Sequence, residues 1–148
     1  SPSPLEILDL SVIESLLDLG VVVVACGGGG IPMVKKAGTV TGVEAVIDKD
    51  LCTALLAERT GARRMVIVTD VEGIKTNFGT KEEKLVKNIR SDELRTLLEK
   101  GQFPAGSMAP KVQAVLQFVD ATGGTAAIGA LTHLTDVVNG RAGTQITS

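Results

Sequence analysis

The chain has 148 residues, of which 44% are hydrophobic, and this is enough to build one sizeable core in a single domain. Its 15 basic and 17 acidic side chains give a net charge of −2, which argues against nucleic acid or an acidic membrane surface as a partner. No secretory signal is evident, and the apolar run at residues 21–25 is too short to cross a bilayer. Two cysteines without metal-ligand spacing fit reduced thiols, so we expect a cytoplasmic protein without a protein-bound metal.

Aliphatic strands and amphipathic helices alternate along the chain. The predicted strands are residues 5–8, 21–25, 65–68, 85–89, 125–129 and 144–147. The predicted helices run from Asp9 or Ser11 to Gly20, from Asp48 or Asp50 to Gly61, from a cap at Ser91, from Pro110 to about Ala121, and over residues 131–138. Residues 35–42 and 71–80 are predicted hairpins or loops. This order is typical of a doubly wound α/β layer sandwich, in which residues 21–25 are a strand buried on both sides.

Lys111 lies at the predicted start of a helix, where a cation is unfavourable. A helix N-terminus carries roughly +0.5 charge, so a lysine there costs about 0.3–1 kcal/mol unless an anion meets it. The loop before it contains Gly101, Pro104 and Gly106, and Pro110 suits a first helical turn. We therefore predict that Lys111 binds a phosphate.

Four consecutive glycines follow the strand predicted at residues 21–25. Gly27, Gly28, Gly29 and Gly30 would let backbone N–H groups approach a phosphate or carboxylate without a Cβ in the way. A flexible turn between strand and loop explains the same run equally well. Pro32 follows almost at once, so neither a Walker motif nor a dinucleotide-binding fingerprint is present.

The triplet Asp48-Lys49-Asp50 opens the second predicted helix. Helix capping explains one aspartate, and a carboxylate held between Lys49 and Lys111 would keep both ammonium groups charged and in place. For Asp50 the two interpretations remain open and are compatible. Ligands of such sheets bind beyond the carboxyl ends of the strands, so the glycines, Asp70 and the Lys111 loop are expected near one another.

Other polar residues carry a weaker signal. Asp70 either starts a turn or holds a ribose hydroxyl at a strand end. Cys26 has no adjacent histidine to activate it, and the single histidine, His133, is expected on the surface. The charge run at residues 81–84 is most simply a solvated loop.

Six strings of the sequence together resemble the carbamate kinases of the amino acid kinase superfamily. These are ACGGGGIP, GVEAVIDKD, TDVEGIKTNFG, GQFPAGSMAPK, ATGG and GRAGT, in that order. The resemblance covers essentially the whole chain. It implies a three-layer α/β/α sandwich with a mostly parallel sheet, and reversible phosphoryl transfer between ATP and carbamate, giving ADP and carbamoyl phosphate with Mg²⁺. Arginine metabolism is the implied setting.

The resemblance also implies roles for individual residues. Lys111 would neutralise the phosphoryl group in flight, with Lys49 beside the phosphates and Asp50 orienting both lysines. Gly27 to Gly30 would border the carbamate or the transferred group. The residues implied to border the nucleotide are Thr69, Asp70, Asn77, Phe78, Gly79 and Met108. Ala109 stands where the family usually has glycine.

Members of this family are about twice as long as this chain, which resembles their C-terminal, nucleotide-binding half. An isolated half would leave a sheet edge and apolar helix faces uncovered, which predicts association with itself or with a complementary chain. A nucleotide-binding or regulatory module without catalysis is the alternative function. If Lys111 is catalytic, we expect Lys111→Ala to abolish turnover and leave stability almost unchanged.

Overall fold

The computed structural model describes residues 2–148. The strands are β1 (Met33–Lys36), β2 (Thr39–Gly42), β3 (Arg64–Thr69), β4 (Lys75–Thr76), β5 (Lys84–Leu85), β6 (Asn88–Arg90), β7 (Thr125–Ala130) and β8 (Thr144–Thr147). The α-helices are α1 (Leu10–Asp18), α2 (Lys49–Arg59), α3 (Ser91–Glu99), α4 (Met108–Thr122) and α5 (Leu134–Val138). Single 3₁₀ turns lie at Gly27–Gly29 and Leu131–His133. No helix of the described chain is long and apolar enough to cross a membrane.

The central sheet has four strands in the order β3-β7-β8-β6. The strand β3 pairs in parallel with β7, from Arg64 opposite Thr125 to Thr69 opposite Ala130. The pair β6–β8 is also parallel, and β7–β8 is antiparallel. The expectation of a mostly parallel sheet is therefore confirmed. Two antiparallel hairpins, β1–β2 and β4–β5, stand outside this sheet.

Helices cover both faces of the sheet. The helix α4 lies against β7 on one face, with α2 and α3 packed on its sides. On the opposite face α5 contacts β7, where buried Val137 sits so close to Gly129 that a Cβ there would lie 2.5 Å from Val137 Cγ2. The core between the sheet and α4 is mostly aliphatic and includes two buried rings, Phe103 and Phe118, of which Phe118 is fully buried. Helix, sheet and helix give the three layers expected from the sequence.

The strands predicted at residues 5–8 and 21–25 are absent, and both predictions are wrong. Residues 21–25 have no regular structure, and the side chains of Val22 and Val24 are 91% and 96% exposed. A strand buried on both sides needs a neighbouring strand and a helix layer on each face. Within residues 2–148 no strand is paired with this segment, and β3 has a neighbour on one side only.

Several element boundaries also differ from the predictions. The fourth helix begins at Met108 and not at Pro110, so Lys111 is its fourth residue and still lies in the first turn. Ser91 is the first residue of α3 and makes no capping hydrogen bond. The strand predicted at residues 85–89 is divided between β5 and β6. The helix predicted at residues 131–138 is a 3₁₀ turn followed by α5. The exposed hairpin predicted at residues 35–42 is confirmed as β1–β2.

A buried hydroxyl on β8 ties the loop after β3 to the segment that leads into β6. The Thr144 Oγ1 atom accepts a hydrogen bond from the Ile74 N–H at 2.8 Å and donates one to the Val86 carbonyl at 2.6 Å. Thr144→Val keeps the shape of the side chain but leaves the Ile74 N–H and the Val86 carbonyl without this hydrogen-bond partner. Each loss costs about 1–3 kcal/mol. We expect a loss of that size in the free energy of unfolding, measured by urea denaturation with far-ultraviolet circular dichroism. Thr147→Val, at an exposed site on the same strand, is the control, and equal losses in the free energy of unfolding would contradict this role for Thr144.

Candidate active site

The start of α2 separates the roles of its two aspartates. Asp48 is the N-cap residue, and its Oδ1 atom accepts hydrogen bonds from the N–H groups of Asp50 at 2.8 Å and Leu51 at 3.0 Å. Capping is thus supplied by Asp48, which leaves the Asp50 carboxylate free for another partner. Of the two interpretations of Asp50, the structure shows the contact with lysines and assigns capping to Asp48.

The Asp50 carboxylate binds two lysines with the same oxygen. Its Oδ2 atom lies 2.8 Å from Lys111 Nζ and 3.8 Å from Lys49 Nζ. Asp50 is buried, at 7% exposure, and the Lys111 side chain is 13% exposed, whereas the Lys49 side chain is 62% exposed. One ammonium group is therefore held inside the protein, and the other reaches solvent. We call these three residues the lysine cluster.

The lysine cluster carries a surplus of positive charge. One carboxylate faces two ammonium groups, and the first turn of α4 adds the partial positive charge of a helix N-terminus. The cluster is therefore suited to an incoming anion with more than one negative charge, such as a phosphate. Ala109 has ordinary helical geometry in this turn and packs against the core, so its methyl group is accommodated.

The glycine run forms a tight loop packed on the residues before α2. Gly29 is buried with a φ of +89°, and a Cβ there would lie 2.0 Å from the Ile47 carbonyl oxygen. The loop is closed by hydrogen bonds from the Gly29 N–H to the Cys26 carbonyl at 2.9 Å and from the Gly30 N–H to the Gly27 carbonyl at 3.1 Å. The loop therefore lies at the same end of α2 as the lysine cluster, with Gly27, Gly28 and Gly30 exposed.

Both cysteines are free thiols beside this loop. Cys52 lies in the first turns of α2 and is buried. Burial, followed by a hydrogen bond with Cys26, raises the pKa of the Cys52 thiol to about 12. At neutral pH Cys52 is therefore protonated and is a poor nucleophile.

A second region, a groove of about 450 Å³, lies where the turn after β4 faces the loop between α3 and α4. Its lining residues are Asn77, Phe78, Thr80, Gly101, Gln102, Phe103 and Pro104. Asn77 and Phe78 were predicted from the sequence, and the other five are additions. Four of these five are the first four residues of the GQFPAGSMAPK string, for which no role was predicted from the sequence. We call this region the groove.

The other residues that were predicted to border the nucleotide do not line the groove. Thr69 ends β3, and its hydroxyl donates to the Asp70 carboxylate at 2.9 Å. Met108 is half-buried against the core, and Gly79 lies in the same turn as Asn77. The groove and the lysine cluster are connected through the chain itself, since α4 begins directly after the groove loop, with a hydrogen bond from the Ala109 N–H to the Pro104 carbonyl at 3.1 Å.

The charge run at residues 81–84 is exposed, as predicted, but Glu83 within it has specific partners. The Glu83 carboxylate lies 2.7 Å from Lys75 Nζ and accepts a hydrogen bond from the Gly79 N–H at 3.0 Å. The sequence did not predict this pair. The two residues are brought together by the hairpin β4–β5, and strands of two residues are too short to show an alternating pattern. His133 is exposed, as expected.

Residues 2–148 contain no group of three or more His, Cys, Asp or Glu side chains placed to hold a metal ion. The lysine cluster and the groove are rich in donors to anions and poor in carboxylate ligands. The chemistry that they can support is binding and neutralisation of phosphate groups, without covalent participation of a side chain.

Comparisons with known proteins agree with this geometry. The chain is 48% identical to a carbamate kinase of Rhizobium meliloti (strain 1021), covering 100% of this chain and 45% of that protein. It is 40% identical to a carbamate kinase of Pyrococcus horikoshii, covering 99% of this chain and 47% of the relative. A structure of a carbamate kinase from Giardia lamblia bound to AMP-PNP matches with a TM-score of 0.98 and 41% identity, over 100% of this chain and 52% of the other.

The chain thus spans about half the length of the curated relatives that it matches. The family model described as the amino acid kinase family matches residues 1–129, which is most of the sequence. The mixed α/β fold with its mostly parallel sheet agrees with the solved structure. From its fold and its match to the family model, the chain belongs to the amino acid kinase family.

Proposed function

We propose that this chain is the C-terminal, nucleotide-binding half of a carbamate kinase and forms a single domain over residues 1–148. The reaction is reversible phosphoryl transfer, in which ATP and carbamate give ADP and carbamoyl phosphate. Similarity to carbamate kinases over the full length of this chain supports the substrate class. The observation that carries the proposal is the buried Asp50 carboxylate holding Lys111 at the first turn of α4.

In the proposed reaction a carboxylate oxygen of carbamate attacks the γ-phosphorus of ATP. One P–O bond forms, and the bond from the γ-phosphorus to the bridging oxygen breaks, leaving that oxygen on ADP. Negative charge spreads over the transferred group and the leaving oxygen during the step. Lys111 and Lys49 stabilise this charge, and the glycine loop offers backbone N–H groups to the carbamate or the transferred group.

Asp50 has the role of a positioning residue. It holds Lys111 in place before any substrate arrives, so the ammonium group does not need to reorient during the reaction. Asn77 and Phe78 form one wall of the groove and contact the nucleotide, with Thr69, Asp70, Gly79 and Met108 around it. AMP-PNP bound to the Giardia lamblia relative supports a nucleotide as the ligand.

Mg²⁺ enters this proposal as part of the nucleotide substrate, where it shields the phosphate oxygens. The described residues hold no cluster of ligands for a resident metal ion. The surplus charge of the lysine cluster would then act on the phosphates that the metal ion leaves unshielded.

The open edge of β3 and the exposed valines of residues 21–25 support association with a complementary chain or a second copy. An unpaired strand edge and an exposed apolar segment each favour pairing with another chain. A complementary chain carrying the other half of the family fold would also provide further substrate-binding groups for the proposed reaction. We therefore propose that efficient turnover needs this association.

The second candidate function is nucleotide binding or regulation without catalysis by this chain alone. It would use the same groove and lysine cluster to bind the nucleotide. Retention of the complete lysine cluster favours catalysis.

A binding assay and a turnover assay test the proposed function. We expect the purified chain to bind ADP in isothermal titration calorimetry and to make ATP from ADP and carbamoyl phosphate only slowly. The assay is run on separated monomeric and associated fractions, with Lys111→Met as the control for contaminating kinase. Absence of ADP binding would contradict the nucleotide-binding role. Fast ATP synthesis by the monomeric fraction would contradict the need for association.

A further inference from the structure

The turn between β4 and β5 is held by one carboxylate that reaches across the hairpin. The two oxygens of Glu83 have different partners: Oε1 lies 2.7 Å from Lys75 Nζ, and Oε2 accepts the Gly79 N–H at 3.0 Å. The side chains of Lys75 and Glu83 are both partly shielded from solvent. We call this arrangement the Glu83 clasp.

Two further hydrogen bonds join Asn77 and Thr80 within the same turn. The Asn77 carbonyl accepts from the Thr80 N–H at 3.1 Å and from the Thr80 hydroxyl at 2.8 Å. Asn77 itself has a φ of +51°, a left-handed conformation that asparagine tolerates better than most residues and that is common in turns. Glu83 adds a side-chain contact to this turn through the Gly79 N–H.

The turn presents an aromatic ring to solvent at the edge of the groove. The Phe78 residue is 60% exposed, and it lines the groove opposite Gln102 and Pro104. An exposed ring on a turn offers a flat apolar face on which another planar group can stack. The position of that face is set by the backbone of residues 77–80, which the Glu83 clasp fixes.

Both members of the clasp are charged near neutral pH. The Gly79 N–H, followed by Lys75, lowers the pKa of the Glu83 carboxyl below its usual value. In turn, Glu83 raises the pKa of the Lys75 ammonium group above its usual value. The clasp is therefore complete under the conditions in which a nucleotide would bind.

We propose that Glu83 is a positioning residue for nucleotide binding, which acts by holding the Asn77–Thr80 turn so that Phe78 and Asn77 form a fixed wall of the groove. This inference rests on the proposed function for the identity of the ligand. It adds a residue that touches no ligand itself and lies outside the lysine cluster. The hairpin β4–β5 thereby becomes part of the binding site.

The test compares Glu83→Gln with the matched control Glu82→Gln. Both variants remove one negative charge from neighbouring positions, but only Glu83 contacts Gly79 and Lys75. We expect the Kd for ADP, measured by isothermal titration calorimetry, to rise about 3–10-fold for Glu83→Gln, the equivalent of one hydrogen bond. For Glu82→Gln we expect a change of less than about twofold, since exposed substitutions are usually near neutral.

Two further measurements separate positioning from a general structural role. The Gly79 amide proton resonance should shift in Glu83→Gln and stay in place in Glu82→Gln, because it reports the hydrogen bond directly. In a Phe78→Ala background, Glu83→Gln should add little to the loss of ADP affinity, since the wall that it positions is already gone. Additive losses would overturn the inference.

The outcomes for the two proposals are distinct. If the unmodified chain binds ADP and Glu83→Gln binds it equally well, the positioning role is wrong and the proposed function stands. If the unmodified chain binds no ADP, the proposed function fails, and the role of Glu83 in nucleotide binding fails with it.

Discussion

Lys111→Met is expected to lower the free energy of unfolding by about 3–5 kcal/mol, the usual result of removing one partner from a buried ion pair. Lys111 lies 2.8 Å from Asp50, and both side chains are almost completely buried. The substitution leaves the Asp50 carboxylate inside the protein with only the exposed Lys49 near it. Urea denaturation followed by circular dichroism measures the loss. This revises the expectation from sequence that replacing Lys111 leaves stability almost unchanged.

Two variants make the result specific to the buried pair. Lys49→Met removes a lysine from the same carboxylate oxygen, but at 3.8 Å and with an exposed side chain, and should cost less than about 1 kcal/mol. Adding Asp50→Asn to Lys111→Met removes the buried negative charge that has lost its partner, so the double variant should be more stable than Lys111→Met alone. If Lys49→Met and Lys111→Met destabilise the chain equally, burial does not distinguish the two lysines and the interpretation is wrong.

Gly29→Ala is expected to destabilise the glycine loop by about 2–6 kcal/mol, from backbone strain combined with a steric clash. The φ of +89° is unfavourable for alanine, and the new Cβ would lie 2.0 Å from the Ile47 carbonyl oxygen. The clash is with backbone, which leads directly into the cap of α2, so the lysine cluster should also be disturbed. Thermal denaturation measures the global loss, and faster hydrogen exchange of the Asp50 and Leu51 amides would report the local one.

Gly28→Ala is the matched control for this effect. Gly28 also has a positive φ, +63°, but its added Cβ would meet nothing within 4 Å. It should therefore cost only the backbone strain, about 1–2 kcal/mol. Equal effects at Gly28 and Gly29 would show that the close approach to Ile47 contributes nothing.

Local sequence signals predicted those elements whose partners lie within residues 2–148. The apolar runs that became β3, β7 and β8 were predicted within one or two residues, because each is buried by a helix or strand of this chain. A pairing of Lys111 with Asp50 was one of two interpretations of the triplet at residues 48–50, because a carboxylate between two lysines would hold both ammonium groups. Both predictions rest on interactions between residues of this chain, namely apolar burial and the pairing of opposite charges.

The failures have a common physical cause. The four valines of residues 21–25 have strong strand propensity, but propensity cannot supply the neighbouring strand that a buried strand requires. Glu83 was treated as one member of a solvated charge run, because its partner Lys75 is brought close only when the hairpin forms. In both cases the outcome depends on a contact with another segment, which composition and periodicity do not encode.

The exposed valines have a consequence for how long the chain survives in solution. Residues 21–25 combine high strand propensity with no charge and no proline, which is the composition of segments that assemble into intermolecular sheets. Such assembly depends on the frequency of collisions between chains, so persistence is governed by concentration and time as well as by equilibrium stability. A stabilising substitution in the core would then do little for lifetime, whereas a lysine within the valine run would act directly on the rate of aggregation.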